Sequence, residues 1–318
     1  MREWRKTINT NGVQLRRKPN KITIDCLAFA DDMALITDSL ENAQKQIIEL
    51  QKQAIKIGLQ ISFEKTQFMT NISDAPQSLK IHNNTISKTN CFKYLGEWIT
   101  SNAKEKIAIE NRVHKMERAF HMTKNTYNKK SLSWNMKLRH YQSVVRTETL
   151  YEAETLNLTR IGDLEKLEKV ERRILRKILG PKIDSNAEYR LRPNKELYFK
   201  IEKLTDVMQK RRLQFYGHIY QMDENRLTKQ IFNLLYSYKS KPTWFNEIEK
   251  DMKNTGIKID TIHNRTLFRE ITQEARFQEG KRHTSGRKWT QEERERQSQK
   301  MKQVWEQRKL NVEKHIQS

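Results

Sequence analysis

The chain has 318 residues, 62 Lys and Arg against 39 Asp and Glu, a formal net charge of +23 and 36% hydrophobic residues. That apolar share excludes a fully disordered chain and supports a packed core, whereas only 9 Gly and 5 Pro disfavour sandwiches, barrels and linker-rich designs. Two cysteines, Cys26 and Cys91, give no disulfide framework, and scattered histidines with no CxxC pair argue against zinc.

No stretch approaches the roughly 18–20 apolar residues of a membrane span. The opening Met1-Arg2-Glu3-Trp4-Arg5-Lys6 lacks the apolar run of a secretory signal. The expectation is an intracellular chain, nuclear or cytoplasmic, with no membrane partner.

Residues 1–20 are polar and basic, with Asn11-Gly12 as a predicted hairpin turn before Val13 and Leu15. Ile22, Ile24 and Cys26 then alternate, and the apolar runs Leu27-Ala28-Phe29-Ala30 and Met33-Ala34-Leu35-Ile36 flank Asp31-Asp32. This pattern predicts a tight β-hairpin with two carboxylates at its turn. Asp38, with Glu41 three positions on, predicts a helix start. Leu40, Ala43, Ile47, Leu50, Ala54 and Ile57 carry that helix to a stop at Gly58. Leu59, Ile61 and Phe63 alternate as a short strand, residues 71–90 read as loop with Pro76 and an Asn83-Asn84 turn, and Cys91 to Ile99 returns to strand composition.

From about residue 102 the period changes from two to about 3.6. Ile109, Val113, Met116 and Phe120 share one helix face, and Leu164, Leu167, Val170, Ile174 and Ile178 share another, ended by Gly180-Pro181. Residues 211–220 and 228–238 are predicted helices. Pro242 opens a neutral stretch, Gly280 to Gly286 reads as a flexible basic linker, and Thr290 with Glu293 caps a final helix to Lys309. The expected segments are 1–20, 21–100, 101–240, 241–280 and 281–318.

Charge follows these segments. Residues 101–240 hold 30 Lys and Arg against 17 Asp and Glu, a net +13, and residues 281–318 hold 11 against 5, a net +6. Such concentration favours a polyanionic partner; the other reading, a solvated basic surface on amphipathic helices, stays open.

Two neighbouring carboxylates at a hairpin turn suit divalent-metal phosphoryl transfer, where hard oxygen ligands hold two ions about 3.5–4 Å apart. Asp-Asp in a turn is common, so the order of neighbours decides. Phe29-Ala30-Asp31-Asp32, an amphipathic helix, Gly58-Leu59-Gln60-Ile61-Ser62-Phe63-Glu64-Lys65-Thr66 and Phe92-Lys93-Tyr94-Leu95-Gly96 follow one another. This succession resembles the palm of reverse transcriptases from non-LTR (LINE-type) retrotransposons, from the Asp-Asp motif onward. The resemblance continues through Leu150 to Leu156, Glu171 to Gly180, Arg211 to Ile219 and Met222 to Leu227, and covers about residues 10–310.

It implies an α+β, mainly α-helical fold: a partial antiparallel palm remnant followed by a helical thumb-like region. It also implies catalysis by Asp31, Asp32 and Lys65, with Asp31 and Asp32 binding Mg²⁺ or Mn²⁺ and Lys65 beside the nucleotide phosphates. Phe92, Tyr94, Leu95 and Gly96 fall in the primer-grip hairpin. The implied partner is RNA and DNA in a template–primer duplex, gripped by Arg172, Arg173, Arg176, Lys177, Lys210, Arg211 and Arg212. In the tail, Arg287, Lys288, Trp289 and Trp305 could hold phosphates and stack a base; a dangling, marginal helix is the other reading.

Phe29 stands where many relatives have tyrosine, and Ser62 where asparagine is usual. The family's further metal-binding aspartate lies well upstream, whereas 30 residues precede Asp31 here, and Glu3 and Asp25 lie in no such motif. The expectation is a carboxy-terminal part of an RNA-directed DNA polymerase, inactive alone, with the upstream part of the polymerase as a partner. Two alternatives remain: a sequence-nonspecific nucleic-acid-binding remnant without catalysis, and an inert product of a decayed element.

Overall fold

Strand pairing in the first hundred residues is local. The computed structural model describes residues 12–17, 20–102, 106–156, 161–183, 189–238 and 243–275, together with 296 and 299. β1 (Val13–Arg17) pairs antiparallel with β2 (Asn20–Ile24), with Arg17 opposite Asn20; the turn expected at Asn11-Gly12 involves Asn11, which lies outside the described residues. β3 (Cys26–Phe29) and β4 (Asp32–Leu35) form the expected carboxylate hairpin.

α1 (Leu40–Lys56) starts at Ser39, whose hydroxyl accepts from the Asn42 N–H at 3.2 Å. Asp38, the expected cap, accepts instead from the Asn42 side-chain amide at 2.7 Å. The strand expected at Leu59 to Phe63 does not form. The Ser62 carbonyl accepts from the Lys65 and Thr66 N–H groups at 3.2 and 3.0 Å, making a turn, while Ile61 and Phe63 still pack inward.

The stretch expected as loop holds β6 (Ser78–Ile81) and β7 (Asn84–Lys88), reversing at His82-Asn83, with the short β5 (Gln67–Phe68) parallel to β7. Ile81 and Ile86 are fully buried with Ile47 of α1, the small core of this part. β8 (Cys91–Tyr94) and β9 (Glu97–Thr100) form a further hairpin, at the strand-like stretch where the resemblance implied one. Among the described residues these strands remain separate sheets of two or three strands rather than one palm sheet.

The helical body has two larger cores. α2 (Lys106–Met122) leads through α3 (Lys124–Asn128) to α4 (Trp134–His140), which runs by a wide π-type turn at Tyr141–Val145 into α5 (Arg146–Leu150). α6 (Ile161–Leu179) lays Leu167, Val170, Ile174 and Ile178 against Ile109, Met116 and Phe120 of α2, the stripes expected from the sequence. Gly180, at φ +71°, ends α6 in the left-handed conformation that glycine adopts without steric cost.

After α7 (Asn194–Leu197), α8 (Leu204–Tyr220) joins both cores. Its Leu204 and Met208 complete the first, and Leu213, Tyr216 and Ile219 enter the second with α9 (Leu227–Tyr236), α10 (Thr243–Thr255) and α11 (Arg265–Glu274). A Cβ on Gly217 would stand 2.3 Å from the Phe268 ring, so glycine lets α11 close on α8. The structure is 57% helical with small antiparallel sheets, the mainly helical α+β fold expected. No described helix is long and apolar enough to cross a membrane, and the expected helix at 290–309 lies, apart from 296 and 299, outside the described residues.

Glu171 of α6 is fully buried. It accepts from Tyr141 Oη at 2.9 Å, Tyr198 Oη at 3.0 Å and the Leu204 N–H at 3.0 Å, and pairs with Arg146 at 3.3 Å. Burial, then the Glu171 charge, push both phenols up. Nearby, Asp206 is pushed up to about 6, first by burial; Lys203 opposes this while Glu168 and Glu202 add to it. A raised folded-state pKa means that stability is present below the unfolded value near 3.8 and lost as pH rises through about 6. Asp206→Asn removes that loss, so its stability relative to the parent is expected to rise by about 1–2 kcal/mol from pH 4 to 7, after allowance for solvent screening. Denaturant unfolding at both pH values checks this; a constant difference would show that Asp206 does not titrate as described.

Candidate active site

The two-residue reversal between β3 and β4 consists of Ala30 and Asp31, because Phe29 pairs with Asp32. Ala30 has φ +50°, a left-handed conformation that costs an L-residue roughly 1–2 kcal/mol. Asp31 and Asp32 are both exposed. Among the described residues neither carboxylate has a hydrogen bond or ion pair, so the tip presents two solvent-facing carboxylates beside the exposed Phe29 ring.

The β8–β9 hairpin turns at Leu95-Gly96, with φ +50° and +96°. Tyr94 at its end is electrostatically coupled to the carboxylate hairpin: burial first, then the Asp32 charge, raise its phenol. A clamp from the helical body holds this turn. Tyr151 Oη donates to the Leu95 carbonyl at 2.8 Å, and Lys115 Nζ reaches the Gly96 carbonyl at 3.4 Å. A Cβ on Gly96 would approach Tyr151 Cε1 to 2.9 Å, so glycine is required by both conformation and space.

Arg112, 1% exposed, pairs with Glu97 at 2.9 Å and donates to the carbonyls of Thr149 (2.8 Å) and Tyr151. Glu152, at φ +50°, follows directly, and its carboxyl is raised by burial and then by Glu97. Three of the non-glycine residues with positive φ, Ala30, Leu95 and Glu152, therefore lie at the carboxylate turn, the second turn or its clamp, the kind of place where backbone strain concentrates in functional sites. Arg112, Lys115 and Glu97 were not singled out from the sequence, because their partners lie up to 39 positions away and leave no local signal.

Lys65 sits exposed on the turn after Ser62, and no hydrogen bond or ion pair among the described residues links it to the aspartates. Phe92 and Tyr94 are half-buried in β8, on the hairpin that carries Leu95 and Gly96. Asp31 and Asp32 supply hard oxygen donors suited to Mg²⁺ or Mn²⁺. No group of three His, Cys, Asp or Glu able to hold an ion occurs among the described residues, so two carboxylates on one turn fit only part of a two-ion site.

The basic residues divide. Lys210 and Arg212 are buried: Lys210 binds Glu202 and the Gln273 carbonyl, and Arg212 pairs with Asp251 at 2.5 Å and donates to the Leu156 carbonyl at 3.3 Å. Their expected role at phosphates is corrected, since both charges neutralise internal partners. Arg211 is half-buried and donates to the Leu150 carbonyl at 2.8 Å. Arg176 donates to Asn194 Oδ1 at 2.6 Å, and Arg172 pairs with Glu168 at 2.7 Å. Arg173 is exposed though paired with Glu117, and Lys177 is exposed with its ammonium 5.5 Å from the Phe120 ring. An exposed ion pair such as Arg173–Glu117 is weak, and both Arg173 and Lys177 present their side chains to solvent. Arg287, Lys288, Trp289 and Trp305 lie outside the described residues.

Two carboxylates thus stand at one hairpin tip, and a second hairpin is clamped by the helical body. Residues 2–99 match the family model for reverse transcriptase (RNA-dependent DNA polymerase), which supports the reverse transcriptase family for that part of the chain. The match ends at the last residues of β9, where the helical body begins. Searches of curated proteins and of solved structures gave no match.

The clamp is testable through Gly96. Gly96→Ala is expected to cost about 1–3 kcal/mol from strain and the Tyr151 clash. In a Tyr151→Ala background the cost should fall by at least about 0.5 kcal/mol, because the clash is gone. Equal costs in the two backgrounds would show that Gly96 and Tyr151 do not touch.

Proposed function

We propose that this chain carries the part of a non-LTR (LINE-type) retrotransposon reverse transcriptase that runs from the Asp-Asp motif through a helical, thumb-like region, acting on RNA and DNA in a template–primer duplex. The observation that carries the reading is the Asp31-Asp32 pair at a strained hairpin tip, inside the matched segment and electrostatically coupled to the clamped β8–β9 hairpin. In this reading the Leu95-Gly96 turn, its carbonyls held by Tyr151 and Lys115, is the rigid stop against which a primer end rests. Arg173 and Lys177 on the outer side of α6 contribute phosphate contacts, which give affinity without sequence preference. Mg²⁺ or Mn²⁺, when bound, supplies charge neutralisation at the phosphates; the chain's own contribution is to hold the two carboxylates at one point.

The isolated chain is a nucleic-acid-binding body and not a working polymerase. In-line transfer needs carboxylates converging from separate strands, and Asp31 and Asp32 come from one turn. On a primed RNA template no extension above background is expected; extension that Asp31→Ala abolishes would overturn this.

Binding to an RNA–DNA hybrid is expected and should depend steeply on salt. With roughly five to eight phosphates neutralised and a slope of about −0.9 for each, raising salt from about 50 to 200 mM weakens binding several hundredfold or more. Joint reversal of Arg173 and Lys177 to glutamate should reduce the slope by about two. An unchanged slope moves the phosphate contacts to another face, and no binding at low salt contradicts the function itself.

A further inference from the structure

A second surface, away from the carboxylates and independent of the polymerase reading, combines exposed rings with an acid-free basic stretch. Residues 118–147 contain seven Lys and Arg and no Asp or Glu, and of the seven only Arg146 is buried. Trp134 opens α4 within this stretch and is 49% exposed. Ser133, capping the helix through the Met136 N–H at 3.3 Å, fixes the backbone that carries it.

The Arg192 guanidinium lies over the indole, 4.5 Å from a ring centroid. Arg192 is itself oriented by the Gly180 carbonyl at 3.0 Å and by Glu196 at 3.2 Å, so the stacked pair is built before any ligand arrives. Lys200 Nζ donates to Asn135 Oδ1 at 2.8 Å, which ties its segment to α4, and the preceding residue in the chain, Phe199, is 83% exposed. Two large rings, one of them held by a cation, are thus exposed on segments that meet at α4.

We propose that Trp134, Arg192, Phe199 and Lys200 form a binding platform for single-stranded nucleic acid. Open ring faces add nothing to a duplex, whose bases are already stacked and which presents phosphates to such a surface. Unpaired bases offer their faces, and a basic surface with interleaved aromatic rings satisfies both backbone and base. Stacking on side-chain rings tolerates any base, so the platform carries little sequence preference.

The test uses the full chain and fluorescein-labelled oligouridylate and oligothymidylate of about 12 nucleotides, with a blunt RNA–DNA hybrid as comparison. Trp134→Ala is expected to weaken binding of both single strands about 5- to 150-fold, Phe199→Ala to act in the same direction, and Trp134→Phe to retain most of the affinity. The hybrid should change less than about twofold, because its affinity rests on phosphates. Single-strand binding unchanged by both alanine variants overturns the platform, as does an equal loss for strand and hybrid. Self-association in sedimentation that Trp134→Ala abolishes, with strand affinity intact, would assign the surface to a second copy instead. Loss of hybrid binding in the parent chain would count against the function proposed above and leave the platform standing on its single-strand result.

Discussion

Arg112 is the joint between the two parts of this protein. Its guanidinium is removed from water and ties two segments together: the Glu97 carboxylate on β9 and the carbonyls of Thr149 and Tyr151 at the end of α5. A buried charge with one partner removed is destabilised by several kcal/mol, on the order of 3–5. The hairpin, α2 and the turn after α5 therefore keep their places together or not at all. Positive φ at Leu95 and Glu152 is tolerable because this joint and the Tyr151 hydroxyl over-determine the backbone around them.

The two parts differ in how they are stabilised. The amino-terminal part buries little, a core around Ile47, Ile81 and Ile86, and its hairpins stand as separate sheets. Isolated two-stranded hairpins are marginal in water; β4 leans on this small core through Leu35, and the β8–β9 hairpin is tied to α2 by the Glu97–Arg112 pair. The helices have their own fixed centre in Glu171, where two tyrosine hydroxyls, an arginine and the first N–H of α8 converge.

Much of this was legible in the sequence. The apolar stripes of α2 and α6 were, because a period of about 3.6 reports burial directly. So was the β3–β4 hairpin, since apolar runs on both sides of two aspartates leave few other arrangements. Leu59, Ile61 and Phe63 misled, because alternation marks which side chains turn inward and does not require a pairing strand. Residues 78–88 were missed for the opposite reason: their strands carry Ser78, Lys80, Thr85 and Ser87 on the outer face, which resembles loop composition.

The candidate site divides in the same way. Asp31, Asp32, Tyr94 and Gly96 are marked by their neighbours in the chain, whereas Arg112 and Lys115 gain meaning only when distant segments meet. Lys210 and Arg212 show the converse limit. Consecutive cations on a helix look like a wet face, and the partners that bury them, Glu202 and Asp251, give no sign of it in the sequence.

Hydrogen–deuterium exchange of the full chain, with and without a saturating RNA–DNA hybrid at low salt, tests the central claim that the clamped hairpin beside the paired aspartates meets a template–primer duplex. Slower exchange with hybrid is expected across residues 91–100, together with the outer face of α6 around Arg173 and Lys177. Protection confined to the helical body, with residues 91–100 exchanging as in the free chain, would contradict it.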